Sequence, residues 1–138
     1  MDRPVVRDIA LAIFRLVLGV IFVAHGYQKL FIQGIDEIAG QFSASAIPQP
    51  KLSAYIAAIA ELGGGALLVI GLLTTVVAGA LALLMAAAFY FVHLGSGFFA
   101  SSGGFEYVLL LIVSLMVVVV FGAGRLSVDW FLTRDAEL

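Results

Sequence analysis

Cysteine is absent from this chain, and charge is nearly absent from its long middle. Without cysteine the protein has no disulfide, no thiolate metal ligand and no thiol redox chemistry of its own. Charged residues make up only 12% of the 138 positions, about half the roughly 25% usual in a soluble domain. There is no basic cluster and the net charge is -2, so the footprint of a nucleic-acid binder is missing. Proline is scarce as well: Pro4, Pro48 and Pro50 all lie outside the long apolar runs.

What is present is apolar. Hydrophobic residues are 63% of the chain and the mean hydropathy is +1.17. A domain of this size has too high a surface-to-volume ratio to hide that much apolar surface from water. Most of it must face lipid.

Four runs, 9–31, 52–73, 76–94 and 106–123, are each near the ~20 residues needed to cross a ~30 Å hydrocarbon core. A lipid-embedded backbone must satisfy its own hydrogen bonds, so these runs are predicted helices, the β-branched Val117–Val120 stretch included. Ala44-Ser45-Ala46 has the spacing of a signal-peptidase site. It lies well past the first run, however, and that run exceeds the ~7–15 residue core of a signal peptide and holds an arginine. The expectation is one all-α domain over 1–138, a polytopic membrane protein with an antiparallel four-transmembrane-helix bundle. Its connections are one polar loop over 33–51, a tight hairpin at Leu73-Thr74-Thr75, and a glycine- and serine-rich loop over 95–105. Arg3, Arg7, Arg125 and Arg134 flank the termini, while the 33–51 side holds only Lys29 and Lys51. The positive-inside rule then puts both termini in the cytoplasm and the chain in the cytoplasmic membrane.

Against this background six ionisable residues stand out: Arg15, His25, Lys29, Glu61, His93 and Glu106. Charge in a bilayer core is costly, so such groups face a bundle interior, pair with one another or serve a site. At ~1.5 Å per residue, His25 lies roughly 9 Å inside the outer end of helix one, and Glu61 about 13 Å inside helix two. Lys29, His93 and Glu106 sit at the outer ends themselves. Five of the six are therefore expected in the outer half of the bundle. Arg15 lies roughly 9 Å from the inner boundary. It is expected to reach up toward Glu61 rather than down to cytoplasmic phosphates.

Arg15, Gly19, Phe22, Gly26 and Lys29 share one face of helix one, with His25 on its shoulder. The two glycines should let a neighbouring helix approach closely, as should Ala78, Ala82 and Ala86 on helix three. Each polar group also has a plainer role. Arg15 and Lys29 balance Glu61 and Glu106, so a neutral network that only fixes helix register is one expectation. Glu106 at a helix start favours the positive end of the helix dipole. Two histidines on different helices are more often network members than axial ligands, which sets haem aside. A His/Glu metal site is opposed by the neighbouring cations, so no metal ligand is assigned.

Taken in order, these residues resemble the DoxX family of small four-helix membrane proteins. The likeness runs from Arg15 to Asp129. It includes Arg15-x3-Gly19-x2-Phe22-x2-His25-Gly26-x2-Lys29-Leu30, then Glu61-x2-Gly64-Gly65 and Gly71-Leu72-Leu73-Thr74. His93, Glu106-Tyr107 and Gly122-x-Gly124-Arg125-x-Ser127-x-Asp129 complete it. The family is named for membrane subunits associated with archaeal thiosulfate:quinone oxidoreduction, and other members resemble membrane partners of oxidative-stress and sulfur-transfer enzymes. The resemblance implies a redox-associated, quinone-linked membrane subunit. A headgroup would be bound by Arg15, His25, Lys29 or His93, and protons handled by Glu61 or Glu106 as catalytic groups. Two other readings stay open. One is a non-catalytic anchor for partner subunits or a homo-oligomer. The other is a small-solute or proton carrier, against which stands the lack of an inverted repeat.

Overall fold

The computed structural model describes residues 4–136, and every regular element among them is helical. Arg3 and the Arg134 side chain, both counted in the charge balance, lie outside what is described. α1 is Pro4–Tyr27 and continues as a π-helical turn, Gln28–Gln33. α2 is Ile35–Ala44, α3 Pro50–Ile70 and α4 Thr74–Ala88, the last extended by a second π-helical turn, Phe89–His93. α5 is Glu106–Phe121 and α6 Val128–Ala136.

Three continuous helical stretches are long and apolar enough to cross a membrane: Pro4–Gln33, Pro50–Ile70 and Thr74–Ser96. α5 is equally apolar but has 16 residues, about 24 Å of helix. It stops at Gly122, whose φ is 75°. With α1, α3, α4 and α5 alternating in direction, the predicted antiparallel bundle is the observed one. The termini-bearing end holds the start of α1, the α3–α4 hairpin and α6. The opposite end, called here the loop end, holds the π turns, α2 and the 95–105 loop.

The segment expected to be a polar loop over 33–51 contains a helix instead. Asp36 and Glu37 in the first turn of α2 suit its positive dipole end, and Ile38 is buried where α2 packs on α3. At ten residues, half of them apolar, this amphipathic element is too short to stand out as a membrane run. α3 then starts with Pro50 at its first position, where a missing N–H costs nothing. It ends at Gly71, whose N–H bonds Leu67 O at 2.8 Å while Leu72 N–H bonds the same carbonyl at 2.9 Å. Gly71 has a φ of 75°, the left-handed geometry that closes a helix and suits glycine.

In lipid, helices associate by close packing rather than by the hydrophobic effect. The α1–α3 seam is the tightest case. A Cβ on Gly19 would lie 2.7 Å from Gly65 O, and one on Gly65 would lie 2.6 Å from Gly19 O. A Cβ on Gly26 would lie 2.8 Å from Ala58 O. The glycine stripe of α1 therefore does what its spacing predicts. On α4 the expected alanine ridge is only partly used, because Ala86 is exposed. The buried face there is Thr74, Ala78, Leu81 and Met85. It meets Val108, Leu111, Leu115 and Val118 of α5, which recur at the three- and four-residue steps of one helical face. Outward-facing Ile13, Val17, Leu83, Leu110 and Val120 are exposed, in keeping with a lipid environment.

Candidate functional site

The six ionisable residues do not gather into one knot. They divide into an ion pair between α1 and α3, a closed loop at the start of α5, a histidine on the surface, and an arginine at the other end of the bundle.

The ion pair is Lys29–Glu61. Lys29 Nζ donates to Glu61 Oε2. The Lys29 side chain is 21% exposed and that of Glu61 only 5%. The π turn carries Lys29 at the end of the buried α1 face, while Glu61 occupies the buried face of α3 among Ala57, Ala58 and Gly65. Small residues around it leave the carboxylate room without exposing it. Neither side chain makes another hydrogen bond among the described residues. An ammonium has three donors and a carboxylate about four acceptor positions. Most of the pair's hydrogen-bonding capacity is thus unfilled, where the π turn at the loop end of α1 meets the middle of α3.

Glu106 and His93 both serve the loop between α4 and α5. Glu106 Oε1 accepts the Ala100 N–H at 3.0 Å, and the Glu106 N–H reaches Phe98 O at 2.8 Å. His93 Nδ1 donates to Gly103 O at 3.0 Å. Since a carbonyl only accepts, the proton sits on Nδ1 and leaves Nε2 bare in the neutral ring. Gly104 is enclosed by this loop, where a Cβ would lie 2.6 Å from Phe99 O. The Gly103-Gly104 pair therefore serves loop closure, and Phe98 and Phe99 remain exposed.

His25 is exposed. Its Nδ1 donates to Ile21 O at 2.8 Å, one turn back, and its ring lies 6.1 Å from that of Tyr107 on α5. Its Nε2, like that of His93, makes no hydrogen bond among the described residues. Among the described residues neither histidine forms a hydrogen bond with the ion pair.

Arg15 corrects the expectation most clearly. It does not reach Glu61. It is 4% exposed, and its Nε donates to Leu68 O at 2.7 Å, Nη1 to Ala123 O at 2.5 Å and Nη2 to Leu126 O at 2.7 Å. The planar fork thus ties α1 to the end of α3 and to the turn after α5. Long side chains on a helix lean toward its N-terminus, which aims Arg15 away from Glu61.

Around Arg15 the structure assembles residues that the sequence scattered. Asp129 accepts the N–H of Leu73 at 2.7 Å and of Thr74 at 2.8 Å, capping α4. Its own N–H bonds Gly71 O at 2.9 Å, and Ser127 Oγ donates to Gly124 O at 2.7 Å. A Cβ on Gly71 would lie 3.0 Å from Arg15 Cζ, so glycine is needed there for two reasons. Burial alone would raise the Asp129 carboxyl. The two backbone amides, the nearby Thr74 hydroxyl and the Arg15 charge outweigh it and hold the group below the usual carboxylate range. The Thr74 hydroxyl falls short of good hydrogen-bond geometry and adds to this only by proximity. Asp129, Thr74 and Ser127 were not singled out as site residues. The signal was the Gly71-to-Thr74 and Gly122-to-Asp129 stretches, whose proximity only the fold reveals.

Among the described residues no three His, Asp or Glu side chains come together as a metal-binding group. No curated protein and no solved structure is significantly similar to the chain. The DoxX family model, by contrast, matches residues 10–94, more than half of the chain and a span that includes Arg15, His25, Lys29, Glu61 and His93. With that match, and with an all-helical membrane bundle built around those residues, the chain belongs to the DoxX family.

Proposed function

We propose that the protein is a redox-associated membrane subunit whose Lys29–Glu61 pair binds the headgroup of a quinone. The observation that carries this reading is the pair's unfilled hydrogen-bonding capacity, where the π turn after α1 meets the middle of α3. The donor set fits the ligand. A quinone carbonyl only accepts and suits the Lys29 ammonium; a quinol hydroxyl also donates and suits the Glu61 carboxylate. Conversion of quinone to quinol takes up two electrons and two protons. The two electrons would come from a partner redox enzyme and the two protons from water, passed in turn to the headgroup by the Glu61 carboxyl. Lipid-facing apolar residues of the same helices suit an isoprenoid tail. Both termini then face the cytoplasm, as the flanking arginines suggest.

The test is an equilibrium titration of the reconstituted protein with a short-chain quinone analogue. Glu61→Gln and Lys29→Gln are each expected to weaken binding by about tenfold, the worth of a hydrogen bond to a charged group. No binding by the unaltered protein, or affinity in the variants unchanged from it, refutes the reading.

A second reading is an anchor or assembly subunit without its own ligand. It is favoured by Arg15, His93 and Glu106, whose hydrogen bonds all go to backbone groups that hold elements together. Native mass spectrometry that finds a lone chain in every mild detergent counts against it.

A further inference from the structure

At the termini-bearing end, opposite the ion pair, lies a second polar site that the quinone reading does not use. It is an open cleft of about 360 Å³ whose lining includes Arg7, Asp8, Gly124, Arg125, Asp129 and Trp130. Three separate segments meet there: the first turns of α1, the turn after α5, and α6.

Charge within the cleft is unequally committed. Asp129 has both carboxylate oxygens on the Leu73 and Thr74 amides, with Arg15 behind it. Asp8 accepts the Arg125 N–H at 3.3 Å and lies 3.8 Å from its Nε. Arg7 makes no hydrogen bond among the described residues; its guanidinium carbon sits 5.8 Å from the centre of the Phe121 ring. Once these pairings are made, with Arg15 counted against Asp129, the Arg7 fork and the outer edge of Arg125 remain to donate, with one positive charge in surplus among the described side chains.

The surroundings tell which anion suits them. Arg7 stands just before the apolar run that begins at Ile9, and Phe121 ends α5, so the cleft is at the level where the apolar helices stop. Trp130 in its lining and Phe121 against Arg7 are exposed, as are Leu126 and Phe131, the chain neighbours of Arg125 and Trp130. Tryptophan beside arginine at that depth is the composition of a membrane–water interface. A soluble anion would leave this apolar rim unexplained.

We infer that the cleft holds the phosphodiester of an anionic membrane phospholipid, with Arg7 and Arg125 donating to its oxygens and an acyl chain lying along Phe121. The bound lipid would join α1, the α5–α6 turn and α6 at the leaflet that the termini face.

The experiment is native mass spectrometry of the full chain in micelles, titrated separately with phosphatidylglycerol and phosphatidylcholine. Preferential retention of phosphatidylglycerol is expected. The Arg7→Gln, Arg125→Gln double variant should lower that retention by roughly tenfold or more, since each basic residue near a charged headgroup contributes several-fold. Arg7→Gln alone should lower it several-fold, and because Arg7 makes no hydrogen bond or ion pair among the described residues and only an exposed contact with Phe121, that variant reports binding rather than folding. Orthophosphate and glycerol phosphate at millimolar concentration should not displace the lipid. Equal retention of the two lipids, unchanged retention in Arg7→Gln, or displacement by orthophosphate overturns the assignment. Quinone affinity belongs to the other end of the bundle, so its failure would leave this result untouched.

Discussion

The Asp129 carboxylate caps the helix that starts at Thr74, 55 positions earlier in the chain, by accepting the Thr74 N–H at 2.8 Å. α4 has no side chain of its own at the capping position, where Leu73 sits in a left-handed conformation with φ 52°. The cap therefore arrives from α6, and the same contact docks α6 onto the bundle.

Asp129→Ala should cost about 1 kcal/mol or somewhat more, the usual worth of a helix N-cap, and Asp129→Asn should cost less because one oxygen remains. Thermal unfolding in detergent followed by circular dichroism measures both. The folded carboxyl titrates below its ordinary 3.8, so its contribution is complete above that value and is lost as pH falls through the folded pKa. The acid limb of the unaltered protein's stability should accordingly be steeper than that of Asp129→Asn.

The α1–α3 seam predicts opposite outcomes for two glycines. Gly26→Ala places a Cβ 2.8 Å from Ala58 O and should destabilise by about 1–3 kcal/mol through overpacking. Gly63 has open space around its Cβ position, and Gly63→Ala should stabilise by up to about 1 kcal/mol through helix propensity. Denaturant titration of the two variants side by side checks the contrast.

For the ion pair, removing one partner should cost more than removing both. Lys29→Met leaves Glu61 buried and unpaired, a loss of about 3–5 kcal/mol, whereas Lys29→Met with Glu61→Leu should recover much of it. A double-mutant cycle on unfolding free energy measures the coupling. Additive losses would mean that the two groups do not stabilise each other.

Glu106→Ala should loosen the 95–105 loop without unfolding the bundle. The Ala100 N–H loses its acceptor, so its hydrogen exchange should speed up while amides in the middle of α5 keep their protection. Fast exchange throughout α5 would instead give Glu106 a larger part in holding the helix.

How much of this was legible beforehand depended on the range of the interaction concerned. The glycines at 19 and 26 were readable because a periodic stripe of small residues has one main use in a membrane helix. Lys29 at the end of that stripe was placed correctly for the same reason. Arg15 stood on the identical face, yet the direction of its side chain and the carbonyls it meets depend on where α3 ends and α5 turns. Asp129 was harder still. It lies beyond the last apolar run, and its partners are backbone amides, which carry no sequence signature.

Composition and apolar run lengths alone determined that this is a helical membrane protein, because a lipid solvent leaves a backbone few ways to satisfy its hydrogen bonds. The 3.6-residue period also put Gly19 and Gly26 on the α1 seam, although the same period put Ala86 on a packed ridge where the structure leaves it exposed. Only the tertiary structure decided which polar groups meet. Such contacts are made between segments brought together by helix ends and turns, and a partner's distance along the chain says nothing of its distance in space.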